Sequence, residues 1–162
     1  SYIDLTAHDI DLALRVGKLK DSALKQKKLT DTQLILVASA QYISLKGSPK
    51  KWEDFSNHNL LSFYNENQQD PLGEMYQMYG ISPTMRVNSF PMLKRLCLES
   101  KGIALLPNTL CSREIDQGIL VRVLPNWGNQ KSTLQVVFSA SKNLPPKTRA
   151  FVDFLSEKKE LF

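Results

Sequence analysis

Two kinds of hydrophobic patterning alternate along the chain. Short, continuous apolar runs suit strands buried on both faces, and longer stretches with apolar residues every three or four positions suit helices. Residues 11–16 carry Leu12, Leu14 and Val16 and stop at Gly17, which predicts a strand. Residues 33–37 (Gln-Leu-Ile-Leu-Val) predict a buried strand. Ser39 is a natural N-cap for a short helix over 40–45 that ends at Gly47. Ser48-Pro49 then opens a further helical turn carrying Trp52 and Phe55, and residues 60–64 read as another strand. Residues 65–83, rich in Asn, Gln, Gly and Tyr, read as a loop with short strands, followed by an extended segment at 85–87.

The second half repeats the alternation more clearly. Phe90, Leu93 and Cys97, with Leu96 beside them, make one stripe of a helix over 89–101 that Gly102 stops. Residues 103–106 form a buried strand. Asn108 caps a helix whose inner residues are Leu110, Cys111 and Ile115 and whose end is Gly118. Strands follow at 120–124, with Val121 and Val123 on one face, and at 134–138. Pro145-Pro146 opens a last helix with Phe151, Phe154 and Leu155 on one stripe. Strands alternating with helices imply an α/β fold with a parallel or mixed sheet covered on both sides.

Composition narrows the functional classes. A length of 162 residues fits one domain or two small lobes, and 42% apolar residues suffice for a core. No apolar run approaches the roughly 20 residues of a membrane span, and residues 1–11 lack the pattern of a secretory signal, so a cytoplasmic protein without membrane contact is expected. The net charge of +5 is spread over scattered lysines, including Lys18, Lys20, Lys25, Lys27 and Lys28, without aromatic stacking partners; this reads as a solvated surface rather than a nucleic-acid patch. Two cysteines, Cys97 and Cys111, and two isolated histidines, His8 and His58, supply neither a metal site nor a disulfide framework. Phosphate-loop, dinucleotide and nucleophile-elbow motifs are missing, so no cofactor and no enzymatic activity are expected.

Several segments together resemble the effector-binding domain of LysR-type transcriptional regulators. Residues 10–17 (Ile-Asp-Leu-Ala-Leu-Arg-Val-Gly) look like that family's strand ending in Arg-x-Gly. Residues 36–42 (Leu-Val-Ala-Ser-Ala-Gln-Tyr) resemble its Ala-Ser-Pro-x-Tyr segment, with Ala40 in place of proline. Trp52-Glu53-Asp54-Phe55 with His58, Asn88-Ser89-Phe90, the run Gly102 to Pro107, Gly118 to Val121, Leu124 to Trp127, and Arg149 to Leu155 complete the series. Ser100-Lys101 departs from the family's usual Gly-Leu, and residues 65–83 match nothing well.

The resemblance implies a two-lobed fold like that of type II periplasmic binding proteins. One lobe is complete over 38–137, and the other is partial, formed by 1–37 and 138–162. It implies that the chain begins after the family's winged helix-turn-helix, its linker helix and the first strand–helix–strand of the effector domain. DNA would then be a partner only through that absent N-terminal part. A small-molecule effector is expected in an inter-lobe cleft, contacted by Arg15, Val16, Gly17, Ser39, Asn88, Ser89, Phe90 and Pro107. Helix N-termini and an arginine favour an anion, so a carboxylate is the expected class. Cys97 has two readings, a packing residue or a redox-sensitive thiol. A homo-oligomer is expected. A periplasmic solute-binding protein of the same fold is the alternative.

Overall fold

The computed structural model describes residues 12–16, 24–64, 70–128, 131–139 and 143–158. Gly17, Lys18, Lys20 and the segment 65–69 lie outside the described residues. The chain forms two compact units, one built on Leu34–Asn129 and the other on Ile3–Gln33 and Gln130–Phe162. No helix among the described residues is long and apolar enough to cross a membrane.

The larger unit is a mixed sheet with helices on both faces. Its strands are the last part of β2 (Leu24–Ser39), then β3 (Leu60–Phe63), β4 (Met85–Val87), β5 (Ile103–Pro107) and β6 (Leu120–Val123). β3 runs parallel to β4 (Leu61 beside Met85) and to β5 (Leu60 beside Ile103). β2 lies between β5 and β6 and is antiparallel to both: Leu36 is opposite Leu105 on one side and Val123 on the other.

Burial on both faces explains the continuous apolar runs. Along β2, Leu36 and Ala38 enter a core with Tyr42, Trp52, Phe55, Leu60 and Ile103, whereas Ile35 and Val37 enter a second core with Leu61, Leu93, Cys97, Ala104 and Cys111. Successive strand residues point to opposite faces, so each run feeds two cores. Helices α1 (Ala40–Lys46) and α2 (Gly73–Tyr79) serve the first core, and α3 (Phe90–Leu98) and α4 (Ser112–Asp116) the second.

Several local expectations are corrected. Ser48-Pro49 does not start a helix. A 3-10 turn runs over Trp52–Asn57, organised by the Asp54 carboxylate, which accepts from the backbone N–H of Lys50 (2.8 Å) and Lys51 (3.2 Å). The supposed loop with strands holds α2, because the polar Asn/Gln-rich stretch ends at Asp70 and a helical stripe begins beyond it. Asn108 opens a 3-10 turn, Asn108–Leu110, and α4 begins only after Cys111. In β6, Val121 and Val123 do share one face, opposite Ala38 and Leu36, although the two most buried residues are Leu120 and Val123, one for each core.

The stop of α3 also differs. Gly102 does not end it. Ser100 adopts the left-handed conformation (φ 57°), with Ser100 N–H bonded to Cys97 O (2.9 Å) and Lys101 N–H to Leu96 O (3.0 Å). This is the Schellman arrangement, with serine where glycine is usual. Gly102 is required for another reason: a Cβ there would sit 2.4 Å from the carbonyl oxygen of Asn59. The Ser100 hydroxyl bonds Ser39 Oγ (2.8 Å) and Gln41 Oε1 (3.2 Å). Ser100→Ala would keep the backbone strain and lose both bonds, whereas Ser100→Gly would lose the bonds but relieve the strain. The glycine variant is therefore expected to be the more stable of the two by about 1 kcal/mol, measured by chemical denaturation.

The smaller unit is an antiparallel sheet under one helix. β1 (Leu12–Val16) pairs with β7 (Lys131–Ser139), Leu12 opposite Phe138, and β7 pairs with the first part of β2 from Leu24 opposite Ser139 to Gln33 opposite Lys131. β2 is thus longer than the apolar run at 33–37: Lys25 and Lys28 are exposed along it, and their charges hide the strand from any hydrophobic pattern. Helix α5 (Pro146–Glu157) covers the sheet with Val152 and Leu155, which pack with Leu29 and Val136, and Thr148 of the same helix is also buried. Phe151, Phe154 and Leu155 share one side of α5 as expected, and of the three only Leu155 is buried. Phe151 (48% exposed) and Phe154 (46%) flank the buried stripe and stack on each other, with 6.5 Å between ring centres.

Candidate functional site

The parallel strands β3, β4 and β5 all end on one edge of the larger unit. In open α/β sheets that carboxyl edge is where ligands bind, because the strand-to-helix connections there leave room and present helix N-termini. Four of the expected residues gather on this edge. Asn88 and Ser89 follow β4, Phe90 starts α3, and Pro107 ends β5. Ser89 is the N-cap of α3 as expected, its hydroxyl accepting from Met92 N–H at 3.3 Å. Pro91 has no N–H to offer, so of the first three positions of α3, only Phe90 retains a backbone N–H not used by the cap.

The pattern of residues did not single out the aromatic wall of this edge. Phe63, the last residue of β3, stacks on Phe90 with ring centres 4.2 Å apart and planes inclined by 14°. Both rings are half-buried, and Tyr64 next to them is exposed. Tyr64 N–H bonds Val87 O (2.8 Å), fixing the ends of β3 and β4 side by side. The parallel register brings Phe63 opposite Val87, two residues before Ser89, and no periodicity within either segment carries that information.

A polar cluster stands beneath the same end of β3. The Asp70 carboxylate accepts from the hydroxyls of Ser62 and Tyr76 (3.0 Å for Tyr76) and from Leu72 N–H (2.9 Å). Burial, reinforced by the Asp70 charge, raises the Tyr76 phenol well above its ordinary value, so it stays a donor. These bonds tether the start of α2 to the sheet.

The other expected residues stand elsewhere. Ser39 closes β2, which runs antiparallel to β5, so it lies on the opposite edge of the sheet from Ser89 and Pro107. It is 3% exposed, and its hydroxyl is committed to the Tyr42 N–H (3.0 Å) and to Ser100. Arg15 and Val16 are half-buried on β1 of the smaller unit, where Arg15 is in register with Gln135. Cys97 is 0% exposed, with its sulfur 3.7 Å from Val37 O. Burial pushes its thiol, like that of Cys111, up to about 12. A thiol so placed remains protonated, the reverse of what nucleophilic or redox-active cysteines need. Among the described residues no group of His, Cys, Asp and Glu could hold a metal ion.

The family model for the LysR substrate binding domain matches residues 3–160, nearly the whole chain. The chain belongs to the LysR substrate-binding domain family. One relative is the HTH-type transcriptional regulator CrgA of Neisseria meningitidis, 32% identical over 160 residues, which cover 96% of this chain and 54% of that regulator. The chain therefore spans about half the length of such relatives. The solved CrgA regulatory domain superimposes with a TM-score of 0.77 at 29% identity, covering 98% of this chain and 79% of that one. The regulatory domain of AphB from Vibrio vulnificus gives 0.63 at 27% identity, covering 95% and 77%. The LysR domains share the type II periplasmic-binding-protein-like fold, so the expected fold class and family both stand. The aligned relatives are transcriptional regulators rather than enzymes.

Proposed function

We propose that this LysR substrate-binding domain senses a small anionic metabolite, and that the carboxyl edge of β3, β4 and β5 is its recognition surface on the larger unit. The observation that carries the reading is the convergence on one edge of Asn88, Ser89, the Phe90 backbone N–H and the stacked Phe63–Phe90 pair. The polar groups suit a carboxylate, and the rings suit an apolar body beside it. Ser39 is left out of this surface because its hydroxyl is spent on internal bonds at the far edge. On the smaller unit, Arg15 is a separate candidate for gripping a carboxylate, with Val16 and Gly17 beside it in sequence. Cys97 acts as a packing residue.

In the full-length regulator, the effector would alter DNA binding by an N-terminal winged helix-turn-helix through its preference for one conformation of the sensing domain. The protein would work in the cytoplasm as a homo-oligomer, without enzymatic activity. The half-exposed Phe151 and Phe154 offer apolar surface for such assembly.

Calorimetry against a panel of small carboxylates, amines and neutral metabolites tests the reading. The expected result is a carboxylate ligand whose affinity falls about tenfold, or 1.4 kcal/mol, in Phe90→Ala. Arg15→Ala tests the smaller unit's candidate separately, by its own loss of carboxylate affinity, and Ser39→Ala should leave binding unchanged. Hits confined to neutral or cationic compounds, or normal binding by Phe90→Ala, would overturn the assignment.

A further inference from the structure

We infer that His58 is a pH-sensitive pin at the far edge of the larger unit, where its neutral ring holds the Tyr42 hydroxyl and its protonation releases it. Tyr42 Oη lies 3.1 Å from His58 Nδ1 and accepts from Asn59 N–H at 3.0 Å. A phenol has one proton. With Asn59 already donating to the oxygen, that proton goes to Nδ1, which fixes His58 as the neutral tautomer protonated on Nε2. The opposite assignment would leave a hydroxyl proton unpaired on a residue that is 3% exposed, a costly arrangement.

What the pin holds is the start of two strands. Asn59 precedes β3, its carbonyl accepts from Ile103 N–H (2.8 Å) at the start of β5, and its side-chain amide donates to Lys101 O (3.2 Å). Tyr42 also anchors α1 in the first core through its ring, while its backbone N–H is capped by Ser39, itself bonded to Ser100. One hydroxyl therefore ties α1, the 3-10 turn and the β3–β5 junction together. A proton on Nδ1 turns the acceptor into a donor and leaves the Tyr42 proton without its partner.

The surroundings favour the neutral ring. Burial lowers the His58 value below the ordinary one, Asp54 in the adjacent turn pulls it upward, and Lys46 at the end of α1 pushes it down. The rings of Tyr42 and Phe55 face it at 5.7 and 6.3 Å between centres. A base whose folded value is depressed binds fewer protons folded than unfolded. Its stabilising contribution is complete above the free-histidine value of roughly 6.5 and is lost as pH falls through the folded value below it. The far edge should therefore loosen in mildly acidic solution, independently of the proposed recognition edge.

Proton and nitrogen NMR of this chain, followed from about pH 7.5 to about pH 5, tests the inference together with amide exchange corrected for its intrinsic pH dependence. The expected result is an Nε2–H tautomer at neutral pH and titration below the free-histidine value. Protection of the Asn59 amide should fall several-fold across that range, and the fall should be absent in His58→Gln. An Nδ1–H tautomer, titration at or above the ordinary value, or unchanged protection at Asn59 would each overturn it. So would an equal fall in His58→Gln. The wild-type titration decides the matter even if the variant does not fold.

Discussion

Trp52→Ala is expected to destabilise the larger unit by about 3–5 kcal/mol, the range for removing a buried indole. Trp52 is 7% exposed and stacks on Phe55 with ring centres 4.8 Å apart. Trp127 meets it edge-on at 4.9 Å, and Tyr79 lies at 6.2 Å. The residue therefore joins the 3-10 turn, α2 and the segment after β6 in one aromatic cluster. Its loss leaves a cavity that three rigid rings cannot close. Urea denaturation followed by far-ultraviolet circular dichroism measures the effect, which should appear as a lower midpoint. A loss under about 1 kcal/mol would mean that the cluster is not packed as described.

Gly102→Ala is expected to cost about 3 kcal/mol, at the upper end of overpacking effects. Nothing about the φ of Gly102 requires glycine. The requirement comes from the Asn59 carbonyl, whose oxygen would lie 2.4 Å from the new Cβ and whose carbon would lie 3.1 Å away. Both are backbone atoms, and the same oxygen accepts the Ile103 N–H that begins the β3–β5 ladder. The clash can be relieved only by parting the two strands. Gly73→Ala is the control: no atom lies within 4 Å of a Cβ there, and the site is in the first turn of α2. It should be neutral or stabilising by up to about 1 kcal/mol in the same denaturation measurement.

The contrast between these glycines shows where sequence reasoning reaches its limit. Gly102 follows a helical stripe and reads as a helix stop, yet the stop is Ser100, a residue with no intrinsic preference for the left-handed region. The bonds of Ser100 to Ser39 and Gln41 come from distant parts of the chain and help to offset that conformation. Likewise Phe151 and Phe154 fit a helical stripe with Leu155, but Val152 proved to be the residue that packs on Leu29 and Val136. Periodicity fixes which residues share a side of a helix to within about one position, and the neighbouring sheet then selects the buried line.

Runs such as residues 33–37 and 103–106 determined the buried strands by themselves, because apolar residues on both faces of a sheet leave no other economical burial. Ser39 and Ser89 determined helix starts through local bonds to the N–H groups of Tyr42 and Met92, three residues on. The ordered set of short segments determined the family. What the sequence could not decide was adjacency across strands. The parallel register that sets Phe63 beside Val87, and so beside the start of α3, is a long-range choice made when two cores close at once. The antiparallel course of β2 sent Ser39 to the edge away from Ser89, although both had read as equivalent helix caps. Asp70 met Ser62 and Tyr76 only once α2 folded back onto β3. In each case the local bonding rule was visible in the residues. Strand direction and register, set by the burial of both sheet faces together, decided which edge each residue would occupy.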